Sequence, residues 1–421
     1  MERHMQENPA QRPPIGWYVH LPFCKTKCGY CDFYSLPTIQ TLIGELVRSL
    51  VAELRLRDPG RLVESIFIGG GTPTELPADA LDSLLATLAD RAEPVGEWTV
   101  EANPTSAAEL KLETLRRRGV NRISFGAQSF DRDELDVLER LHAPRHIGES
   151  VRAARRVGFD NLNLDLIYAI PGRAACGPLV QRGEESRPPQ TLDRWRDSLR
   201  RAIDLGTEHL SCYALMYEPG TSLTRQRDEG RLLPCDEQVE AEMFELAIEE
   251  LTAAGYVHYE ISNFARPGRE CRANIIYWEN REYLGIGPSA VSYLDGVRQK
   301  NVADVRRYVQ WMRSAPGKIV IERERLAQRA RACETAVQML RLSRGIDAAL
   351  FRLQTGFDAH QLFARPIEQL SKLGLVQCDA RAIRLTRRGL LLANRVMSEF
   401  LMDPAVESPS AGGAPVGVTR S

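Results

Sequence analysis

The sequence predicts an α/β protein, an incomplete parallel (β/α)6 barrel, TIM-like in its alternation, followed by a small α+β unit with winged-helix-like order. Three observations predict it. Short apolar runs alternate six times with amphipathic segments, the glycines and polar residues collect where those runs end, and beyond residue 322 the texture changes to helices followed by a hairpin pattern. Strands alternating with helices indicate a parallel sheet covered by helices, and six units suit an open barrel better than a closed eight-stranded one. In such folds the loops after the strands build the site.

Residues 1–15 are polar and proline-bearing and are expected to be flexible. The barrel is expected over 16–255. Its first strand, 16–22, leads into His20-Leu-Pro-Phe-Cys24-Lys-Thr-Lys-Cys28-Gly-Tyr-Cys31. A helix follows over 42–57, where Leu and Val recur at three- and four-residue intervals, and a strand from 65 ends in Gly69-Gly70-Gly71-Thr72-Pro73. Further strands are predicted at 98–102, 122–127, 162–170 and 209–215, with helices at 78–92 and 107–118 in two of the gaps. Residues 173–190 hold Arg, Gly, Glu and Pro without a hydrophobic period and read as an exposed loop insertion before a helix from 191. An amphipathic helix over 237–255 ends the barrel, and 256–322 is a connecting region of short strands and turns. The second unit is expected over 323–402: helices at 324–342 and 361–373, a hairpin from 375–378 and 383–385, and a last helix. Residues 403–421 are Pro, Gly, Ser and Ala, cannot bury apolar area, and are expected to be disordered.

Composition excludes several classes. Lys plus Arg number 55 against 56 Asp plus Glu, so no global field argues for nucleic acid or an anionic membrane. No apolar run is long enough to span a bilayer, and the first residues carry no signal-like apolar core, which predicts a cytoplasmic protein. Of nine cysteines, Cys176, Cys212, Cys235, Cys271, Cys333 and Cys378 show no pairing pattern, as expected in a reduced compartment.

Cys24, Cys28 and Cys31 are different. Their Cys-x3-Cys-x2-Cys spacing lets one loop turn three sulfurs toward one soft-metal centre. A structural zinc site would want a fourth ligand, whereas three thiolates on a four-iron cubane leave one iron open for an exchangeable ligand. A degenerate zinc knuckle and three buried cysteines are the alternatives. The glycine triplet would let bare N–H and C=O groups meet a zwitterion, or is simply a tight turn. Glu101 ends a strand where a carboxylate accepts from a ribose; Gln128, Arg140 and Asp165 are weak singly, and their order along one rim is the argument. No residue is singled out as catalytic.

These motifs, with Arg122-Ile-Ser-Phe-Gly-Ala-Gln-Ser-Phe130, Asn163-Leu-Asp-Leu-Ile-Tyr168, Tyr259-Glu-Ile-Ser-Asn-Phe-Ala265 and Tyr283-Leu-Gly-Ile-Gly-Pro288, resemble the coproporphyrinogen III dehydrogenase family of radical S-adenosylmethionine (SAM) proteins and, within it, the heme chaperone branch, HemW. The resemblance runs from Gly16 to about Phe400. It implies a 4Fe-4S cluster on Cys24, Cys28 and Cys31. It also implies SAM contacts by Tyr18, Tyr30, Gly69, Gly70, Gly71, Thr72, Glu101, Gln128, Arg140, Asp165, Ala214 and Val291, at positions where the dehydrogenase binds two SAM molecules. Heme, a heme-acceptor protein and a reductant such as a flavodoxin are the implied partners.

Two departures shape the functional expectation. The dehydrogenase has a further cysteine where this sequence has Phe33, and a longer N-terminal segment, which favours the chaperone branch. That branch carries His-Asn-x-x-Tyr-Trp, and this chain reads Ala273-Asn274-Ile-Ile-Tyr277-Trp278; likewise Val291 stands where the branch usually has histidine. Neither alanine nor valine has a lone pair for iron. Cys271, His258 and the Tyr277–Trp278 pair are the substitute heme contacts, while His20, His142 and His209 read as structural or near SAM. The expected function is heme binding and transfer; a HemN-like enzyme performing methyl transfer, cyclopropanation or coproporphyrinogen dehydrogenation is the alternative.

Overall fold

The structure, a computed structural model, describes residues 12–92, 96–175 and 186–401. The expected flexible N-terminus up to residue 11, the middle of the expected loop insertion and the expected tail from 403 lie outside those residues. The chain divides into two compact units, Met1–Leu326 and Ala327–Ser421.

In the first unit six strands, β1 (Ile15–Leu21), β2 (Val63–Gly70), β3 (Glu97–Ala102), β4 (Arg122–Gln128), β5 (Leu162–Tyr168) and β6 (His209–Ala214), pair in parallel in sequence order. Helices α1 (Gln40–Arg57), α2 (Ala78–Arg91), α3 (Glu109–Arg117), α4 (Pro144–Arg156) and α5 (Leu192–Asp204) fill the gaps, and α6 (Glu237–Ala253) follows. The region read as connecting extends the sheet at both edges. Strand β8 (Asn263–Ala265) adds antiparallel to β6, and β7 (Val257–Glu260) adds antiparallel to β8. Strand β9 (Tyr283–Ile286) adds parallel to β1 and is followed by antiparallel β10 (Val291–Leu294), β11 (Val297–Asn301) and β12 (Val320–Glu324). The sheet runs from β7 to β12 without closing, an open barrel.

The parallel strands are not uniformly apolar, as doubly covered strands usually are. One face carries Trp17, Ile68, Val100, Phe125 and Leu164, all 2 % exposed or less. Burying each such side chain contributes about 1.5–3 kcal/mol. The other face carries Tyr18, Glu101, Arg122, Asn163, Asp165 and His209. The period of two follows from strand geometry: one set of side chains packs under the helices and the other turns into the barrel, which is therefore polar inside.

The β9–β10 hairpin is locked to α1 by one buried carboxylate. Glu53, fully buried, accepts from Arg57 Nη1 (2.6 Å), Asn301 Nδ2 (2.7 Å), the Gly287 amide (2.8 Å) and Tyr308 Oη (2.6 Å). A buried charge so fully satisfied is costly to disturb, since removing a partner leaves it uncompensated.

The expected exposed loop is anchored where it is described. Gly172–Arg173 pairs with Leu232–Leu233 and bridges Arg187, and buried Gln190 donates to Glu134 Oε2 at 2.9 Å.

The second unit contains helix Gln328–Leu340, strand Ile346–Asp347, helices Ala348–Thr355 and Ala364–Lys372, a hairpin of Val376–Cys378 with Ala382–Leu385, and helix Ala393–Leu401. Its core centres on Phe363, whose ring lies 6.0 Å from that of Phe351 and 5.0 Å from that of Phe400. The first helix starts four residues later than expected because Val320–Glu324 completes the barrel sheet, and helix Ala348–Thr355, too short for a clear period, is an addition.

Candidate functional site

The three cysteines sit on a loop that leaves the C-terminal end of β1. Phe23–Cys24 pairs with Leu36–Pro37 and closes the loop at its base. His20 ties the loop to the barrel, with Nε2 2.8 Å from the Tyr34 carbonyl and Nδ1 2.9 Å from Tyr18 Oη. The Leu223 amide donates to the Gly29 carbonyl at 2.8 Å, so the helix Ser222–Asp228 braces the opposite side.

Each sulfur has its own polar neighbour. Thr72 Oγ1 donates to Cys24 Sγ (3.7 Å), Arg140 Nη1 donates to Cys28 Sγ (3.4 Å), and Ser35 Oγ lies 3.9 Å from Cys31 Sγ. Hydrogen-bond donors and a buried guanidinium around three half-buried sulfurs favour thiolates bound to a cationic centre. Three sulfurs on one loop, without a fourth protein ligand beside them in the sequence, are one short of a structural zinc site. The donor set fits an iron–sulfur cluster.

The glycine triplet behaves differently from the expectation of bare backbone. The amides of Gly70, Gly71 and Thr72 are already committed, to Glu101 Oε2 (3.1 Å), the Leu21 carbonyl (2.7 Å) and the Phe23 carbonyl (2.8 Å). A Cβ on Gly69 would stand 2.6 Å from the Glu101 carboxylate, one on Gly70 (φ +100°) would enter the His20 ring, and one on Gly71 would stand 2.6 Å from the Phe23 carbonyl. The triplet exists because the cysteine loop and a carboxylate both press against it.

Glu101 and Asp165 face the barrel interior on β3 and β5. Burial, then the neighbouring Asp165 charge, pushes the Glu101 carboxyl up to about 8; burial likewise raises Asp165. Tyr18 stands in the same interior, its ring 6.3 Å from Phe67 and its hydroxyl raised by burial and then by Glu101. Glu101, Asp165 and Tyr18 are enclosed by protein yet keep part of their surface accessible, so they line a space rather than fill it. Tyr30 packs against the apolar cluster of Val137, Leu138, Ile167, Ile170 and Leu215 below the loop.

Gln128 ends β4 at a bulge with φ +65°, a backbone that a non-glycine residue adopts at a cost. Gly126 makes room there: Arg140 Nη2 donates to its carbonyl at 2.8 Å, and a Cβ at 126 would stand 2.9 Å from Gln128 Nε2. Arg140 thus spans β4 and Cys28. Ala214 ends β6 beside Tyr168, at the same strand ends. Val291 begins β10, outside β1, with its carbonyl against Gly285.

The altered motif lies at the other end of the barrel. Its helix, α7 (Arg272–Trp278), meets strand N-termini: the Arg272 amide donates to Glu97 Oε1 (3.0 Å), Arg272 pairs with Glu64 (3.8 Å), and Ile276 fills the notch that Gly16 leaves. Ala273 is buried. Cys271 is 1 % exposed, its thiol 3.5 Å from Glu97 Oε1 and pushed up to about 12 by burial, so it is not placed to ligate an entering iron. Tyr277 meets Tyr283 edge-on at 4.6 Å, and Trp278 is half-buried. His258 stacks on Phe264 (4.4 Å) and bonds the Ile261 carbonyl (3.0 Å). His142 Nε2 bonds the Ala127 carbonyl (2.9 Å), and both ring nitrogens of buried His209 are engaged.

Sequence reasoning passed over Arg122, Asn163, Ser124 and Tyr259, which fill the polar floor between these two ends. The signal was present as the polar member of each strand alternation, in Arg122-Ile-Ser124 and Asn163-Leu-Asp165.

The radical SAM superfamily model matches residues 18–175, and the HemN C-terminal domain model matches 326–392. The chain is 34% identical over 391 residues to the heme chaperone HemW of Bacillus subtilis, covering 91% of this chain and 98% of that protein. It is 31% identical over 406 residues to the heme chaperone HemW of Escherichia coli, covering 93% and 99%. The E. coli coproporphyrinogen III oxidase HemN, a radical SAM enzyme, superposes with a TM-score of 0.77 at 24% identity over 94% of this chain and 91% of that one, which shows a shared fold.

Proposed function

The chain belongs to the HemW family of radical SAM proteins, and from that premise we propose that it binds heme and delivers it to an acceptor protein, using a barrel that also holds a 4Fe-4S cluster and SAM. The observation that carries the reading is the near-complete span of the HemW relatives together with Phe33 in place of the dehydrogenase's further cysteine. A bound cluster would supply the electron that reductive cleavage of SAM requires. Cys24, Cys28 and Cys31 hold it. Arg140 and Thr72 donate to two of the sulfurs and steady their charge. Glu101 and Asp165 would accept from SAM inside the barrel, carbonyl groups of Gly69 to Gly71 would take its ammonium, and Tyr18, Tyr30, Gln128, Ala214 and Val291 would complete the walls. A flavodoxin-like protein is the reductant.

Heme binds at the α7 end, where Tyr277 and Trp278 offer aromatic surface, without an imidazole from position 273. Apolar burial, at about 25 cal/mol per Å², holds a large flat ring even where a ligand is missing. A heme titration of the natural protein against Ala273→His tests this: tighter binding and a changed spectrum in the variant are expected. Identical stoichiometric spectra would show that 273 is not a ligand, and no binding by either would transfer the protein to the enzymatic reading. That second reading, a HemN-like enzyme performing methyl transfer or cyclopropanation, is favoured by one observation, Ala273 where the chaperone branch carries histidine.

A further inference from the structure

Between the motif helix and the acidic interior runs a continuous chain of hydrogen bonds, buried in its middle and half-buried at its two ends. Asn274 Nδ2 and the Cys271 amide each lie 3.4 Å from Tyr259 Oη, and Tyr259 Oη lies 2.8 Å from His209 Nε2. His209 Nδ1 is 2.6 Å from Asn163 Oδ1, and Asn163 Nδ2 is 2.8 Å from Asp165 Oδ1 and 2.7 Å from Ser124 Oγ. His209 is fully buried, Asn163 is 2 % exposed and Tyr259 is 7 % exposed, so the middle of the run is shut off from water.

The direction of every bond follows from one end. A carboxylate only accepts, so Asn163 must turn its amide nitrogen to Asp165 and its oxygen to His209. His209 must then carry its proton on Nδ1, which leaves Nε2 to accept from the Tyr259 hydroxyl. The Tyr259 oxygen in turn accepts from Asn274 and from the Cys271 amide. Neutral His209 agrees with its surroundings: burial and the nearby Arg122 charge hold the imidazole well below its ordinary range. The chain has one polarity throughout, and reversing it requires a donor at the Asp165 end.

We infer that Tyr259, His209 and Asn163 are positioning residues, a one-directional hydrogen-bond chain that fixes the Asp165 carboxylate as an acceptor toward the barrel interior and makes its orientation depend on the motif helix through Asn274. The inference rests on the reading of Asp165 as a SAM contact. A ligand that shifts α7 therefore changes how Asp165 is held, and SAM affinity responds at the far end of the barrel.

Nitrogen-15 histidine NMR of the reconstituted, oxidised protein reads the chain directly, with His209→Gln identifying the resonance. The Nδ1–H tautomer is expected; an Nε2–H tautomer or an imidazolium would overturn the chain. Equilibrium SAM binding then tests its consequence. Tyr259→Phe, which deletes one hydroxyl and keeps the ring, is expected to lower the melting temperature, because His209 Nε2 and the Cys271 amide lose their partner, and to weaken SAM by about three- to tenfold in protein that is still folded and cluster-loaded at the binding temperature, and Asn274→Ala to act in the same direction. If Asp165→Asn weakens SAM and Tyr259→Phe leaves it unchanged, the positioning role is wrong. If Asp165→Asn itself binds SAM normally, the contact reading has failed, and the tautomer alone decides the chain.

Discussion

At Glu101 four influences meet on one carboxyl. Burial and the Asp165 charge raise it, the Gly70 amide and the Arg122 charge lower it, and the balance stands at about 8. A carboxyl raised above its unfolded value favours the fold fully below that unfolded value and loses the contribution as pH climbs through 8. Ligand binding runs the other way, because ribose hydroxyls donate best to the ionised form and the SAM sulfonium favours a negative neighbour. SAM binding near pH 7 is therefore expected to release a proton, and affinity to rise between pH 7 and about 8.5 before levelling. Calorimetry in buffers of different ionisation enthalpy checks this, and a Glu101→Gln protein with the same slope would contradict it. That the residue matters was legible from its place at a strand end; its protonation was not, because Asp165 is 64 residues away in sequence and reaches it only through the curl of the sheet.

The cysteine loop and the glycine triplet form one structural element. The spacing of Cys24, Cys28 and Cys31 made the loop legible, since ligand chemistry constrains residues close in sequence. What the triplet packs against was not, because its neighbours, Leu21, Phe23 and Glu101, come from other strands. Gly71→Ala brings a methyl within 2.6 Å of the Phe23 carbonyl, a backbone atom with little room to retreat. The variant is expected to lose about 1–3 kcal/mol, as overpacked sites do, and to load less iron because the loop itself must shift. Anaerobic iron and sulfide analysis beside a thermal melt measures both. Cys28→Ala is expected to lose the cluster without a comparable loss of fold, whereas Ser at buried Cys212 or Cys333 or at exposed Cys378 should leave iron content intact. A full cluster in Cys28→Ala would remove that residue from the ligand set.

At the scale of the whole barrel, the two groups of residues that invite function lie at opposite strand ends. Cys24 and Thr72 follow strand C-termini and Gln128 ends β4, while α7 meets Gly16, Glu64 and Glu97 near the N-termini of β1, β2 and β3. The six parallel strands were legible from apolar alternation with helices. The two-ended arrangement was not, because β9 has only four residues and α7 seven, too short to declare a period, and their docking on β1 depends on the notch at Gly16. The separation has a consequence for occupancy. Two ligands that compete for one pocket displace each other, whereas ligands at opposite mouths bind together and influence each other only through the residues between. Heme and SAM are therefore expected to bind simultaneously: saturating SAM should leave heme stoichiometry at its value without SAM and alter the heme dissociation constant by a factor that equals the change heme makes in SAM affinity. Titrations in both orders measure the two factors. Full mutual displacement would place heme at the cluster end and refute the α7 site; because linkage makes the two factors equal at equilibrium, their agreement checks that both titrations reached it.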